Sequence, residues 1–397
     1  MIRVGFVLRF RDNDWLGGIS YYRNLIDAIY ANPERSIEPV IITGYDSDNI
    51  LPQGLHGVLV IKDHALDANP PFATLRIILN RLLRRDIFLE KRLIQLVKEY
   101  QISVLSHSGS LGRRSPIPTI GWIPDFQHRY LPGYFTGSEV SGRDKVFGIW
   151  CAECTRVIFS SNTAKNDAEK IYPAFAEKFR VLHFVTTAMD LSQPADFSAL
   201  RGKYQLKGQY FIVPNQFWAH KNHTVILEAL KRLKQRDCSV TVIATGNTTD
   251  YRHPDYFSGL QKIIQENDLS KNFIVAGIVP YAELLQLMIH SVAVINPSLF
   301  EGWSTTVEEA KALDLKIILS DIPVHREQNP AKGIFFNPHD PEQLAGILQD
   351  AMSEDHGSDS RISLEKIPER LRRQKIQFAQ NYEKIVSEAL GIFVPGK

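Results

Sequence analysis

The sequence predicts two successive α/β units, each a parallel sheet covered on both faces by helices. Three observations carry that expectation. First, 397 residues exceed one ordinary hydrophobic core. Second, short apolar runs of strand length alternate with longer segments of helical period, the pattern of a buried parallel sheet. Third, the rhythm stops in a polar stretch at 186–206 and then restarts.

In the first half, the strands expected are 2–8, 38–43, 57–61, 102–106, 118–122, 156–160 and 179–184, all rich in Val, Ile and Phe. Helical segments fall between them at 18–31, 72–99 and 142–154, with another at 161–171 opened by a Ser-Asn cap. In the second half, strands at 209–213, 239–244, 273–276, 292–295, 316–319 and 334–336 alternate with helices at 222–235, 255–267, 281–290, 306–313 and 341–353. This divides the chain into a domain at 1–190, a linker at 191–206, a domain at 207–366 and a C-terminal helical segment at 367–397 that packs on either half. Two such units form a cleft between their strand ends, where ligands of open α/β sheets bind.

Composition narrows the function. There are 46 Lys plus Arg against 44 Asp plus Glu, a net charge of +2, so no whole-molecule argument favours nucleic acid. No run approaches the roughly 20 apolar residues of a membrane span. The opening MIRVGFVLRF lacks the apolar core and cleavage site of a signal peptide and reads as the first strand of a cytoplasmic protein. Cys151 and Cys154 form a C-x-x-C, but with only Cys238 besides, the pair is expected to be two packed thiols, not a zinc site or a disulfide framework.

The most informative segment is NPSLFEGWSTTVEEAKAL at 296–313. A strand runs into a tight loop carrying Glu301 and Gly302, and Ser304, Thr305 and Thr306 then open a helix. A helix N-terminus presents unpaired N–H groups and partial positive charge, which suits a phosphate. Glu301 and Glu309 frame the loop, and carboxylates at a sugar site accept paired hydroxyl hydrogen bonds. Thr306 with Glu309, or Thr305 with Glu308, also spells a capping box, which would give one glutamate a structural role.

The pattern P-S-x-x-E-G-x-x-x-x-x-E-E-A, holding an E-x7-E pair at Glu301 and Glu309, resembles the donor-site signature of glycosyltransferase family 4, of the GT-B fold. The resemblance extends over nearly the whole chain and implies two Rossmann-like domains facing across a cleft. It implies that Glu301 faces a donor hexose and that Glu309 bonds the ribose of the nucleotide. PNQFWAHKNHTVILEAL at 214–230 is similar to the segment opening the family's second lobe, with Lys221-Asn222 in the place of its diphosphate-binding Lys-Asn; Gln216 stands where the family commonly has Arg. VAGIVPYAEL at 275–284 resembles the stretch whose main-chain groups hold the base, which places Gly277, Ile278 and Tyr281 at that end. SDIPVHREQ at 320–328 resembles the segment after the donor helix, with Glu327 as its structural acid.

In the first half, Gly17 and Gly18 precede a helix after RFRDNDW and resemble the family's glycine loop, set against donor phosphate or acceptor. GWIPDFQHRYLP at 121–132 places His128 where the family has a histidine lining the cleft near the reacting carbon; Asp125 either orients it or caps a helix that leaves His128 on the surface. His107, after its strand, is expected to be packed or solvated. The arginine-rich stretch 75–98 (Arg76, Arg81, Arg84, Arg85, Lys91, Arg92) is either a docked helix with a basic face or a peripheral contact with anionic lipid at the inner membrane face.

The resemblance thus implies a retaining transferase moving a hexose from a nucleotide diphosphate sugar to a glycan or lipid-linked acceptor, with Glu301, Lys221 and His128 at the centre. No D-x-D-like motif stands out, so no metal and no cofactor beyond the donor is expected. A non-catalytic nucleotide-sugar-binding subunit and an epimerase on the same architecture remain as alternatives.

Overall fold

The computed structural model describes residues 1–8, 16–47, 57–67, 86–112, 115–186, 194–354 and 367–393. The loop RFRDNDW at 9–15 and the arginines at 76, 81, 84 and 85 lie outside the described residues. The chain folds into two compact units, one of 1–126, 137–187 and 372–397, the other of 127–136 and 188–371.

In the first unit, β1 (Ile2–Leu8) is followed by α1 (Leu16–Ala31), β2 (Ile37–Thr43), β3 (Leu59–Lys62), α2 (Ile87–Glu99), β4 (Val104–Ser106) and β5 (Thr119–Ile123). A short α3 (Gln127–Tyr130) groups with the second unit. The first unit resumes with α4 (Gly137–Glu153), β6 (Arg156–Phe159), α5 (Asn162–Ile171) and β7 (Phe179–Val181). Its seven strands are ordered β3-β2-β1-β4-β5-β6-β7, every described pairing parallel. Such strands are buried on both faces and therefore read as continuous apolar runs. Ser161 caps α5, its hydroxyl accepting the Ala164 N–H at 3.0 Å. Cys151 and Cys154 are buried among Phe147, Phe159 and Phe179, and burial pushes both thiols up to about 12, so they stay protonated and inert.

Two expectations need correction. Gly17 and Gly18 do not precede α1; they lie in its first turn. Small residues there leave the free N–H groups of the turn uncrowded. The polar stretch at 186–206 is not irregular throughout: it contains α6 (Phe197–Lys203), capped by Asp196, which accepts the Ser198 N–H at 2.8 Å. Only Leu200 of that helix is buried, which is why its sequence looks polar.

The second unit continues with β8 (Phe211–Pro214), α7 (His223–Gln235), β9 (Val242–Thr245), α8 (Tyr256–Glu266), β10 (Phe273–Gly277), α9 (Tyr281–Ile289), β11 (Val294–Asn296), α10 (Thr305–Ala312), β12 (Ile317–Ser320), α11 (Pro323–Gln328), β13 (Gly333–Phe336) and α12 (Pro341–Ser353). Its parallel sheet has the order β10-β9-β8-β11-β12-β13. Phe211 and Val213 enter the core on one face and Ile212 the core on the other, the alternation of a strand with helices on both sides. The last helix, α13 (Ile367–Ile392), begins with Ile367 and Leu371 in this core. From Arg372 onward it belongs to the first unit, where Glu383 accepts from Ser36 and Asn32, and Lys375 pairs with Asp27.

In the second sheet the winding reverses between β8 and β11. A doubly wound sheet opens a crevice at the carboxyl ends of those two strands.

Candidate active site

Both strands end there in buried amides. Asn215 Nδ2 donates to Asn296 Oδ1 at 3.3 Å, Asn296 Nδ2 donates to Ser304 Oγ at 2.7 Å, and Thr306 Oγ1 donates to Asn215 Oδ1 at 3.2 Å. This ring of neutral polar groups ties the two strand ends to the amino end of α10. Buried polar groups must be paired, and these are paired with one another.

The loops beyond carry the charges. Lys221 lies on the 3-10 turn Ala219–Lys221 after β8, and its Nζ reaches Oε1 of Glu301, on the loop after β11, at 2.6 Å. Their side chains are 15% and 9% exposed, so the pair is shielded from water. The Ser298 hydroxyl lies 2.7 Å from the same Glu301 oxygen. Burial alone would raise the pKa of Glu301, but the Lys221 ammonium beside it outweighs burial and holds the carboxyl below its ordinary value. Burial drives His220 and His325 the other way, His220 to about 3 and His325 to about 4, so both rings are neutral. His325 donates from Nδ1 to the Ser320 carbonyl at 2.8 Å, and Ser320 Oγ donates to the Ser298 carbonyl, which fixes the backbone under Glu301.

Asn222 takes a left-handed conformation at φ 56°, and its amide donates to the carbonyls of Pro297 and Pro338 at 3.2 and 2.9 Å. It clamps the Lys221 turn to the Glu301 loop. Gln216 is likewise committed: its Oε1 accepts the Asn247 N–H at 2.8 Å. The neighbouring Gly246 has φ +126°, and a Cβ there would lie 2.5 Å from the Asn215 carbonyl, so only glycine fits.

Neither capping box expected for α10 forms. Ser304 is the cap and accepts from Val307. Gln328 then braces it, accepting the Ser304 N–H at 3.2 Å while donating to its carbonyl and to Glu308, both at 2.9 Å. Glu308 also pairs with Lys311. Glu309 is left for another partner: it accepts the Tyr281 hydroxyl at 2.8 Å, and burial pushes its carboxyl up to about 7 against the pull of that bond. Tyr281 opens α9 just beyond Gly277, whose φ of +68° turns the chain and whose carbonyl accepts from Gly246. Ile278, between them, is 77% exposed.

His128 lies on α3, within the second unit, and is fully buried, which excludes the surface reading. Its ring meets Phe135 edge-on. His107 is packed, as expected: Tyr21 and Ser106 hydroxyls stand 3.0 and 2.7 Å from its two ring nitrogens, and burial lowers its pKa to about 3. Sequence reasoning did not single out Asn215, Asn296, Ser298, His325 or Gln328. All five lie within the segments that carry the resemblance, Asn215 in 214–230, Asn296 and Ser298 in 296–313, His325 and Gln328 in 320–328, but it assigns them no role there.

Comparison with known proteins agrees with the fold. Residues 197–374 match the family model described as glycosyl transferases group 1. The match covers less than half of the chain, nearly all of it within the second unit. Among curated proteins it is 28% identical over 196 residues to the O-antigen chain mannosyltransferase RfbU of Salmonella typhimurium, a match covering 49% of this chain and about half (50%) of that relative. Solved structures share the GT-B fold. HepE of Anabaena, in complex with UDP and glucose, superimposes with a TM-score of 0.68 at 15% identity over 98% of this chain and 100% of its own. The apo form of the lipopolysaccharide outer core galactosyltransferase WaaB gives 0.62 at 14% identity over 97% and 99%. The family match covers Lys221 and Glu301, which meet beyond the ends of β8 and β11, and also α10 with Glu309.

Proposed function

We propose that this protein acts as a glycosyl transferase of group 1, moving a hexose from a nucleotide diphosphate sugar to an acceptor hydroxyl with retention of configuration. The observation that carries the reading is the shielded Lys221–Glu301 pair at the amino end of α10, with Glu309 eight residues beyond Glu301 in the sequence. In this reading the donor diphosphate lies against Lys221 and the free N–H groups of α10. Glu301 accepts hexose hydroxyls, Glu309 accepts those of the ribose, and the base lies near Gly277, Ile278 and Tyr281.

The chemistry is a front-face displacement. The bond from the anomeric carbon to the phosphate oxygen breaks and the acceptor oxygen bonds on the same face. The acceptor proton passes to the departing phosphate, whose growing charge Lys221 and the helix end stabilise. His128 lines the reacting carbon, and no metal is required. The acceptor is a glycan or a lipid-linked sugar in surface polysaccharide or lipopolysaccharide synthesis, in line with the names of RfbU and WaaB. Contact with the membrane through 75–98 belongs to the same proposal.

A thermal-shift screen against UDP-, GDP-, ADP- and dTDP-sugars identifies the donor, because a ligand raises the unfolding midpoint only by binding the folded state. Turnover of that donor, in EDTA, is then compared with Glu301→Ala and Lys221→Ala. Losses of at least about a hundredfold are expected for both. Unchanged transfer by the two variants would refute the site.

A further inference from the structure

Resting on the diphosphate reading, we propose that Arg252 is a second phosphate-binding cation of this site, supplied by the loop after β9. Lys221 already has its charge matched by Glu301 at 2.6 Å. A diphosphate approaching that pair therefore needs a further cation. Gln216, which is uncharged, cannot supply one, and its amide oxygen is held by Asn247.

Arg252 is strapped to the Lys221 turn through a single buried carboxylate. Asp250 Oδ2 accepts the N–H of Ala219, the first residue of that turn, at 2.9 Å, and Asp250 Oδ1 accepts the N–H of Arg252 at 3.0 Å. Asn247 adds a second strap, its carbonyl accepting the Phe217 N–H at 2.9 Å. The two loops are thus tied together, and the Arg252 backbone is held to the Lys221 turn.

The surroundings of the guanidinium orient it without neutralising it. It lies 4.6 Å from the Phe135 ring centroid and 5.0 Å from that of Tyr251; Nε donates to the Tyr251 hydroxyl at 2.9 Å and Nη1 to Gln127 Oε1 at 3.4 Å. Among the described residues Arg252 forms no ion pair. Its charge does reach the site: after burial and Lys221, Arg252 helps to hold the neighbouring His220 ring neutral. A planar guanidinium stacked on rings keeps N–H groups in a fixed fork, the geometry that takes two phosphate oxygens.

The experiment measures affinity for UDP, GDP, ADP and dTDP, then follows the tightest of these and its parent nucleoside in Arg252→Gln and Arg252→Lys. Arg252→Gln should weaken diphosphate binding at least about tenfold and nucleoside binding less than about twofold, with Arg252→Lys recovering only part of the loss because an ammonium keeps the charge but lacks the fork. Diphosphate affinity unchanged in Arg252→Gln overturns the assignment. So does an equal fall for nucleoside and diphosphate, which would mean that Arg252 only supports the fold. Arg252→Met replaces the glutamine variant if that protein does not fold. A native protein that binds none of the four diphosphates would overturn the donor reading itself, whereas native binding with an unaffected Arg252→Gln overturns Arg252 alone.

Discussion

The two sheets of this protein reverse their winding in the same way, yet the ends of their central strands are furnished differently. At the end of β4, in the first unit, His107 is enclosed by Tyr21, Tyr22, Trp122 and Phe6, with Tyr21 stacked on Trp122 at 4.1 Å. Every group in that nest is neutral. At the end of β11, in the second unit, the chain instead buries a lysine against a glutamate. Desolvating two charges costs several kcal/mol, and a well-formed pair regains that only in part. One winding thus supports either a packed aromatic plug or a charged pair, so the pair is not a product of the fold. Its cost is the reason to read it as functional.

The comparison breaks most sharply at the pair itself. Glu301→Ala leaves Lys221 as a shielded charge without its partner, and Lys221→Ala does the same to Glu301. Each single variant should lose about 3–5 kcal/mol of stability. The double variant Lys221→Met with Glu301→Leu should be more stable than either single one, while remaining unable to bind donor. Urea unfolding measures both. If the double variant equals the sum of the singles, the two charges are not coupled and the contrast with the neutral nest disappears. His107→Phe serves as the control: it should cost stability in the first unit and leave nucleotide affinity unchanged.

A smaller effect tests the second carboxylate. Burial raises the Glu309 pKa to about 7, so near neutral pH the folded protein holds it partly protonated. Because the folded value lies above the ordinary one, the stability Glu309 contributes is present at acid pH and is lost as pH rises from the ordinary carboxylate range through about 7. Donor binding has the opposite sign. Ribose hydroxyls donate to the carboxylate and so favour the ionised form; affinity should rise about tenfold from pH 6 to pH 8. Glu309→Gln should remove that dependence. A pH profile unchanged by the substitution would show that the ribose lies elsewhere.

How far this was visible beforehand varied with the physics. The strands were legible because both of their faces are buried, which forces an unbroken run of Val, Ile and Phe. α6 was hidden because it buries a single leucine, and Gly17 and Gly18 looked like a loop although they open α1. Glu301, Glu309 and Lys221 stood out through a motif resemblance. Their local arrangement did not, since Lys221 and Glu301 are 80 positions apart and meet only because β8 and β11 are neighbours. Asp250 and Arg252 carry no motif at all, and Gln328 only ends the segment 320–328; all three act through hydrogen bonds between distant segments that spacing does not encode.

The smallest expected effect separates a cap that only ends a helix from one that also shapes a site. Ser161 caps α5 in the first unit, and Ser304 caps α10 in the second. Loss of the cap alone on replacement by alanine should cost about 1 kcal/mol in each, the usual worth of an N-cap. Ser304 Oγ also accepts from Asn296, so Ser304→Ala leaves a buried amide N–H unpaired and loosens the joint between β11 and α10. Ser304→Ala should therefore cost about 1–3 kcal/mol more than Ser161→Ala and weaken nucleoside diphosphate binding severalfold, whereas Ser161→Ala should leave binding unchanged. Equal nucleoside diphosphate affinities in the two variants would mean that the amino end of α10 takes no part in holding the phosphates, and the site would then have to bind its ligand through side chains alone.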